Sequence, residues 1–122
     1  MRGITVDVTD LSRGKQFWSR LLGLEVVAEN DTYVWLEEVV PGMRLILQRV
    51  PEPKTVKNRV HLEISPTDPD SAIRWIESLG GTRIGDVEGP DYALAVMADP
   101  DGNEFCVNRR PSVGLLGTTK MP

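Results

Sequence analysis

The chain repeats itself, and an internal repeat restricts the available folds more than any single motif does. Gly42, Leu45, Leu47, Gln48, Arg49 and Pro51 return as Gly102, Phe105, Val107, Asn108, Arg109 and Pro111, an offset of 60. Earlier in each half the offset is 58, with Gly3 on His61, Asp10 on Asp68, Phe17 on Trp75, Leu21 on Leu79 and Gly23 on Gly81. Both halves must therefore fold as one kind of unit. The drift from 58 to 60 puts two extra residues into the second half's loops, where added length costs little.

Within the first half, Ile4, Val6 and Val8 alternate with Gly3, Thr5 and Asp7, the period-two pattern of a strand with one face on a core. Asp10 caps a predicted helix from Leu11 to about Leu22, with Leu11, Trp18, Leu21 and Leu22 at helical spacing and Gly23 as its stop. Leu24 to Glu29 and Thr32 to Glu38 read as a hairpin closed by Asn30-Asp31. Pro41-Gly42 then turns the chain into a strand from Arg44 to Val50. Pro51-Glu52-Pro53-Lys54 is a stiff connector, because proline fixes φ and restrains its predecessor.

The second half has the same order. Val60, Leu62 and Ile64 alternate with His61, Glu63 and Ser65, and Asp68-Pro69 starts a helix that runs to Leu79 with Ala72, Ile73, Ile76 and Leu79 as its apolar stripe. Gly80-Gly81 ends it, Arg83 to Val87 pairs across Glu88-Gly89-Pro90-Asp91 with Tyr92 to Ala98, and Asp99-Pro100-Asp101-Gly102-Asn103 turns into the strand Glu104-Phe105-Cys106-Val107. The expected fold is α+β, a tandem of βαβββ modules: module one about 3–50, connector 51–58, module two about 59–110 and a tail over 111–122.

Composition narrows the partners. With 122 residues, 40% of them apolar, the chain suits one compact domain. A net charge of −4 spread without a basic block argues against a nucleic-acid surface. No apolar run approaches the ~20 residues that span a bilayer, and Met1 to Asp7 lacks the apolar core of a signal peptide, so the expectation is a cytoplasmic protein with no membrane partner. Cys106 is the sole cysteine, which rules out an internal disulfide.

A tandem βαβββ whose second half runs from a strand-borne His61 to a strand after Asp99-Pro100-Asp101-Gly102-Asn103 resembles the vicinal oxygen chelate superfamily of glyoxalases, bleomycin-resistance proteins and extradiol dioxygenases. Gln48 to Lys54, Asn58 to Glu63 and Asp99 to Val107 look like its glyoxalase-like subgroup, and the likeness covers about residues 3–110. It implies a curved mixed sheet, helices on its back, and a cleft on its concave side holding a small organic molecule. It also implies a homodimer, since relatives commonly pair their modules between chains; whether pairing is intrachain or swapped stays open.

If Ile4, Val6 and Val8 pack on the first helix, the other parity faces the cleft: Gly3, Thr5, Asp7, His61, Glu63, Ser65, Arg44, Ile46, Gln48, Glu104, Cys106 and Asn108. Either Tyr33 and Trp35 or Val34 and Leu36 join them, both pairs being bulky. An aromatic wall of Tyr33 and Trp35, with Gln48 and Asn108, would bind a planar ligand, Trp18 lying near it. Trp18 and Trp75 themselves belong to helix stripes, which normally bury.

His61, the sole histidine, with Glu63 and Glu104, is the candidate acid/base set. Metal-using members of the superfamily draw on four ligand positions, which the resemblance maps to Gly3, Ile46, His61 and Cys106. Two of these carry no donor, so the implied cofactor is either none or a divalent metal ion in a rebuilt site of His61 and Cys106 aided by Glu63, Glu104 and Gln48. Lys54, Lys57 and Arg59 read as solubilising charges or as a rim attractive to anions. Three readings stand: a metal-independent binder of a small molecule, a lyase, isomerase or dioxygenase using the rebuilt site, or a bare assembly domain without a ligand.

Overall fold

The computed structural model describes residues 1–110; the tail beyond, with Leu115 and Leu116, lies outside the described residues. The chain divides between Thr55 and Val56 into two compact units. Each is a four-stranded mixed sheet with one helix, so the architecture is α+β and the order of elements is βαβββ twice over.

In the first unit, β1 (Gly3–Val8) leads through α1 (Leu11–Leu22) to β2 (Val26–Glu29), β3 (Tyr33–Val40) and β4 (Met43–Arg49), in the spatial order β1-β4-β3-β2. Asp10 caps α1 by accepting from the Arg13 amide at 3.0 Å, and Gly23, at φ +66°, closes it in the left-handed region. Parallel β1–β4 pairing sets Ile4 opposite Leu45 and Val6 opposite Leu47, and antiparallel β3–β4 pairing sets Val34 opposite Leu47. Val8, Val34, Leu36, Leu45 and Leu47 are buried with Phe17, Trp18 and Leu21 of α1, whose Phe17 and Trp18 rings meet edge to face at 5.1 Å. Full burial of each such side chain contributes about 1.5–3 kcal/mol.

The second unit places β5 (Leu62–Ile64), α2 (Pro69–Ser78), β6 (Thr82–Glu88), β7 (Ala93–Ala98) and β8 (Glu104–Asn108) in the equivalent order β5-β8-β7-β6. Parallel pairing of Leu62 with Phe105 and Ile64 with Val107 reproduces Ile4 with Leu45 and Val6 with Leu47. The repeat read from the sequence is thus a repeat of hydrogen-bond register. Asp68 caps α2 through the Ser71 amide and hydroxyl, Pro69 follows it, and Ala72, Ile73 and Ile76 bury against a core of Ile64, Ala95, Met97, Phe105 and Val107.

Three expectations shift. The first hairpin turn is not the two residues Asn30-Asp31, because Thr32 also leaves the ladder: Asn30 Oδ1 accepts from the amides of Thr32 and Tyr33 at 2.8 and 2.7 Å, giving a side-chain-closed turn. Val60 does not join β5, which starts at Leu62; it is 79% exposed. The extra length of the second half lies in ladder rather than loop. Its β6–β7 hairpin carries the added pairs Val87 with Leu94 and Glu88 with Ala93, whereas the bulge between Trp35 and Glu38 has no counterpart in β7. Trp18 is 1% exposed and lies in the core, as its place in the helix stripe predicts, because α1 turns that face onto β3 and β4.

Candidate functional site

Burial decides the parity that the sequence left open in β3. Val34 and Leu36 lie with Leu45 and Leu47 on the helix-covered face, so Tyr33 and Trp35 stand on the opposite face with their partners Gln48 and Ile46. The two rings lie 5.3 Å apart at 31° to one another, and both side chains are half-buried. By strand parity Thr5 and Asp7 of β1 share this face. The result is a tilted aromatic pair beside an amide, a surface suited to stacking a flat group and hydrogen-bonding its edge.

The corresponding face of the second sheet carries Glu63, Glu104, Cys106 and Asn108. Glu63 lies opposite Cys106 across the β5–β8 ladder. The Cys106 thiol is 6% exposed; burial, first, and then the neighbouring Glu63 carboxylate raise its pKa, while Lys57 opposes the rise. Both effects disfavour the thiolate, the reactive form of a cysteine. Asn108 is buried too, its Oδ1 accepting from the Arg110 amide at 3.1 Å and its Nδ2 lying 3.5 Å from Ser65 Oγ.

His61 and Glu104 are tied together by Asn58, the first residue of the Asn58–Glu63 stretch on which the resemblance partly rests. Asn58, in the segment before β5, donates its amide to Glu104 Oε2 at 2.7 Å and its Nδ2 to the Glu104 carbonyl at 3.4 Å. Its own carbonyl oxygen lies 2.7 Å from His61 Nε2. The same ring nitrogen is 2.7 Å from Lys57 Nζ. An ammonium has no acceptor, so against Lys57 the ring nitrogen must accept and the imidazole proton sits on Nδ1; toward the Asn58 carbonyl it could only donate, and it fills one role at a time. His61, Glu104, Lys57 and Asn58 therefore form one polar knot at the head of β5 and β8. The sequence marks Lys57 as a solubilising or rim charge and Asn58 as part of the stretch that carries the resemblance; neither reading sets them against His61.

Among the described residues, no group of three or more His, Cys, Asp or Glu side chains comes together to hold a metal. Of the four positions to which the resemblance assigns ligands, Gly3 and Ile46 carry no donor atom. At Gly3 an added β-carbon would stand 2.9 Å from the Arg44 carbonyl oxygen and 3.2 Å from Ile46 Cδ1, so a larger side chain would crowd the β1–β4 ladder. These residues do not fit an ion held by all four positions. The Asp99 turn is structural: Asp99, 3% exposed, accepts from the amides of Asp101 and Asn103 at 3.0 and 2.8 Å and from Asn103 Nδ2 at 3.0 Å, and Gly102 sits at φ +88°.

The comparisons agree with the fold. The glyoxalase-like domain family matches residues 3–108, and the chain belongs to it. It is 26% identical over 117 residues to glyoxalase 1 of Caenorhabditis elegans, covering 84% of this chain and 40% of that protein. The chain thus spans about 40% of the length of the curated relatives it matches. A glyoxalase/bleomycin resistance protein from Albidiferax ferrireducens is similar with 25% identity and a TM-score of 0.67, over 91% of this chain and 98% of that one. The fold alone is shared with a fosfomycin resistance protein from Listeria monocytogenes, complexed with Mn(II) and dihydroxypropylphosphonic acid, at 13% identity and a TM-score of 0.75, over 93% and 90% of the two chains. No helix among the described residues is long and apolar enough to cross a membrane.

Proposed function

We propose that this glyoxalase-like chain binds a small, flat organic molecule, without the family's full metal site. The supporting observation is the Tyr33–Trp35 pair, held on the face away from α1 beside Gln48 and Ile46. Stacking on the rings supplies affinity, and the Gln48 amide beside them supplies orientation. Small ligands are bound in this fold elsewhere, as in the fosfomycin resistance protein with its phosphonic acid. The partner set proposed is a small molecule and a second copy of the chain in a homodimer, in the cytoplasm, with neither nucleic acid nor membrane.

The test is a ligand-observed NMR screen of small aromatic acids and amides against protein purified without chelator, with elemental analysis of the same sample. Saturable binding at well under one metal per chain, reduced at least tenfold by Trp35→Ala, is expected. Binding unchanged in Trp35→Ala would sink the reading.

A second reading rests on the pairing of Glu63 with Cys106 and on the Asn58 link between His61 and Glu104. In it the chain is a metal-dependent lyase, isomerase or dioxygenase with a rebuilt ligand set, His61, Glu63 and Glu104 exchanging protons with the substrate. It requires about one metal per chain and turnover abolished by His61→Ala.

A further inference from the structure

The aromatic face of the first sheet carries a cation that has so far been given no task. Arg44 alternates along β4 with the buried Leu45 and Leu47, so its side chain leaves the strand on the side of Ile46, Gln48, Tyr33 and Trp35. It is half-buried. Across β1 it faces Gly3, which has no side chain, and its register partner on β3 is Glu38, whose Oε2 instead accepts from the Gly42 amide at 3.1 Å. Among the described residues the Arg44 guanidinium has neither a hydrogen bond nor an ion pair. A fork of donors half out of water and without an acceptor is costly, and a carboxylate satisfies it with two parallel bonds.

Arg44 stands two residues along β4 from Ile46, the partner of Trp35. Such diagonal neighbours lie about 7–8 Å apart, within reach of aromatic and long side chains. Tyr33 follows in the next row, opposite Gln48, and Asp7 completes that row from β1. The face therefore runs from a positive end at Arg44, over two rings, to an amide and a carboxylate.

We infer that the flat ligand of this face is an aromatic carboxylate, its ring on Trp35 and Tyr33 and its carboxylate on the Arg44 guanidinium. Gln48 meets the opposite edge of the ring. Asp7 fixes the direction, because a carboxylate turned the other way would approach a like charge. Arg44 thus sets specificity by charge where the rings set it by shape. This rests on the aromatic reading proposed above and adds the charge and the orientation of the ligand.

The experiment measures Kd on the full chain by ligand-observed NMR with matched probes: benzoate and benzamide, nicotinate and nicotinamide, cinnamate and cinnamamide. In every pair that binds, the acid should bind at least tenfold more tightly than its amide. Arg44→Gln should cut that preference below threefold and leave amide binding unchanged, while Arg44→Lys, which keeps the charge without the fork, should retain part of it. Trp35→Ala should weaken acid and amide alike, and thermal melts establish that each variant is folded. Equal binding of acid and amide by the wild type, or a preference that survives Arg44→Gln, overturns the inference and leaves the aromatic reading in place. Binding of no probe, or binding indifferent to Trp35→Ala, strikes the aromatic reading and this inference with it.

Discussion

At the level of single residues, the two sheets make matched predictions because they share one register. Leu47 and Val107 are both 0% exposed and occupy equivalent places opposite Val6 and Ile64. Leu47→Ala should destabilise the fold by about 2–5 kcal/mol in chemical denaturation, the range for a buried leucine cut to alanine. The thiol of Cys106, buried and beside Glu63, should react with iodoacetamide at least tenfold more slowly than a small-molecule thiol and reach that rate only on unfolding. Alternation in the sequence was enough to sort Ile4, Val6, Val8 and Leu45 from Thr5, Asp7 and Gln48. It failed at β3, where Tyr33-Val34-Trp35-Leu36 is bulky at every position and only the placement of α1 breaks the tie. Lys57 and Asn58 were illegible for a different reason: their partners are set by how an irregular segment folds back on β8, which no period encodes.

At the level of elements, the turns and caps were the most readable parts, since their chemistry is local. Asp10, Asp68-Pro69, Gly23 and Asp99 to Asn103 all stand where turn and cap preferences put them. Gly102 holds φ +88° with no atom near a prospective β-carbon, so Gly102→Ala should cost about 1 kcal/mol from backbone conformation alone, readable as a lowered melting temperature without loss of the fold. The α2 cap also has a pH signature. The Ser71 hydroxyl and amide hold the Asp68 carboxyl below its ordinary pKa, and the Arg83 hydrogen bond does the same for Asp86. Carboxyls lowered in the folded state stabilise it above their unfolded pKa and lose that contribution as pH falls through the folded one. Melting temperature should therefore drop as pH goes below about 4, and the drop should be shallower in an Asp68→Asn, Asp86→Asn double variant. An identical slope in the two proteins would remove both groups from the account.

At the level of the whole chain, the duplication made the architecture predictable, because each half supported the other's weak signals: Asp10 vouched for Asp68, and Gly42 for Gly102. It could not reveal the ligand, since the two open faces have diverged. One carries an aromatic pair with an amide, the other a knot of lysine, histidine, asparagine and glutamate.

The lengthened hairpin of the second unit has its own consequence. β6 is the last strand of its sheet, and Ile84 and Val87 on it are 57% and 45% exposed, a profile that invites sideways addition of foreign strands. The irregular register between Arg83 and Gly85 bends that border, and the charges of Arg83, Asp86 and Glu88, paired with one another and with Arg109, line it. Replacing Arg83 and Asp86 together by valine should leave the native spectrum intact yet speed fibril growth seen by thioflavin fluorescence, which would mark this border as the place where the chain guards its own solubility.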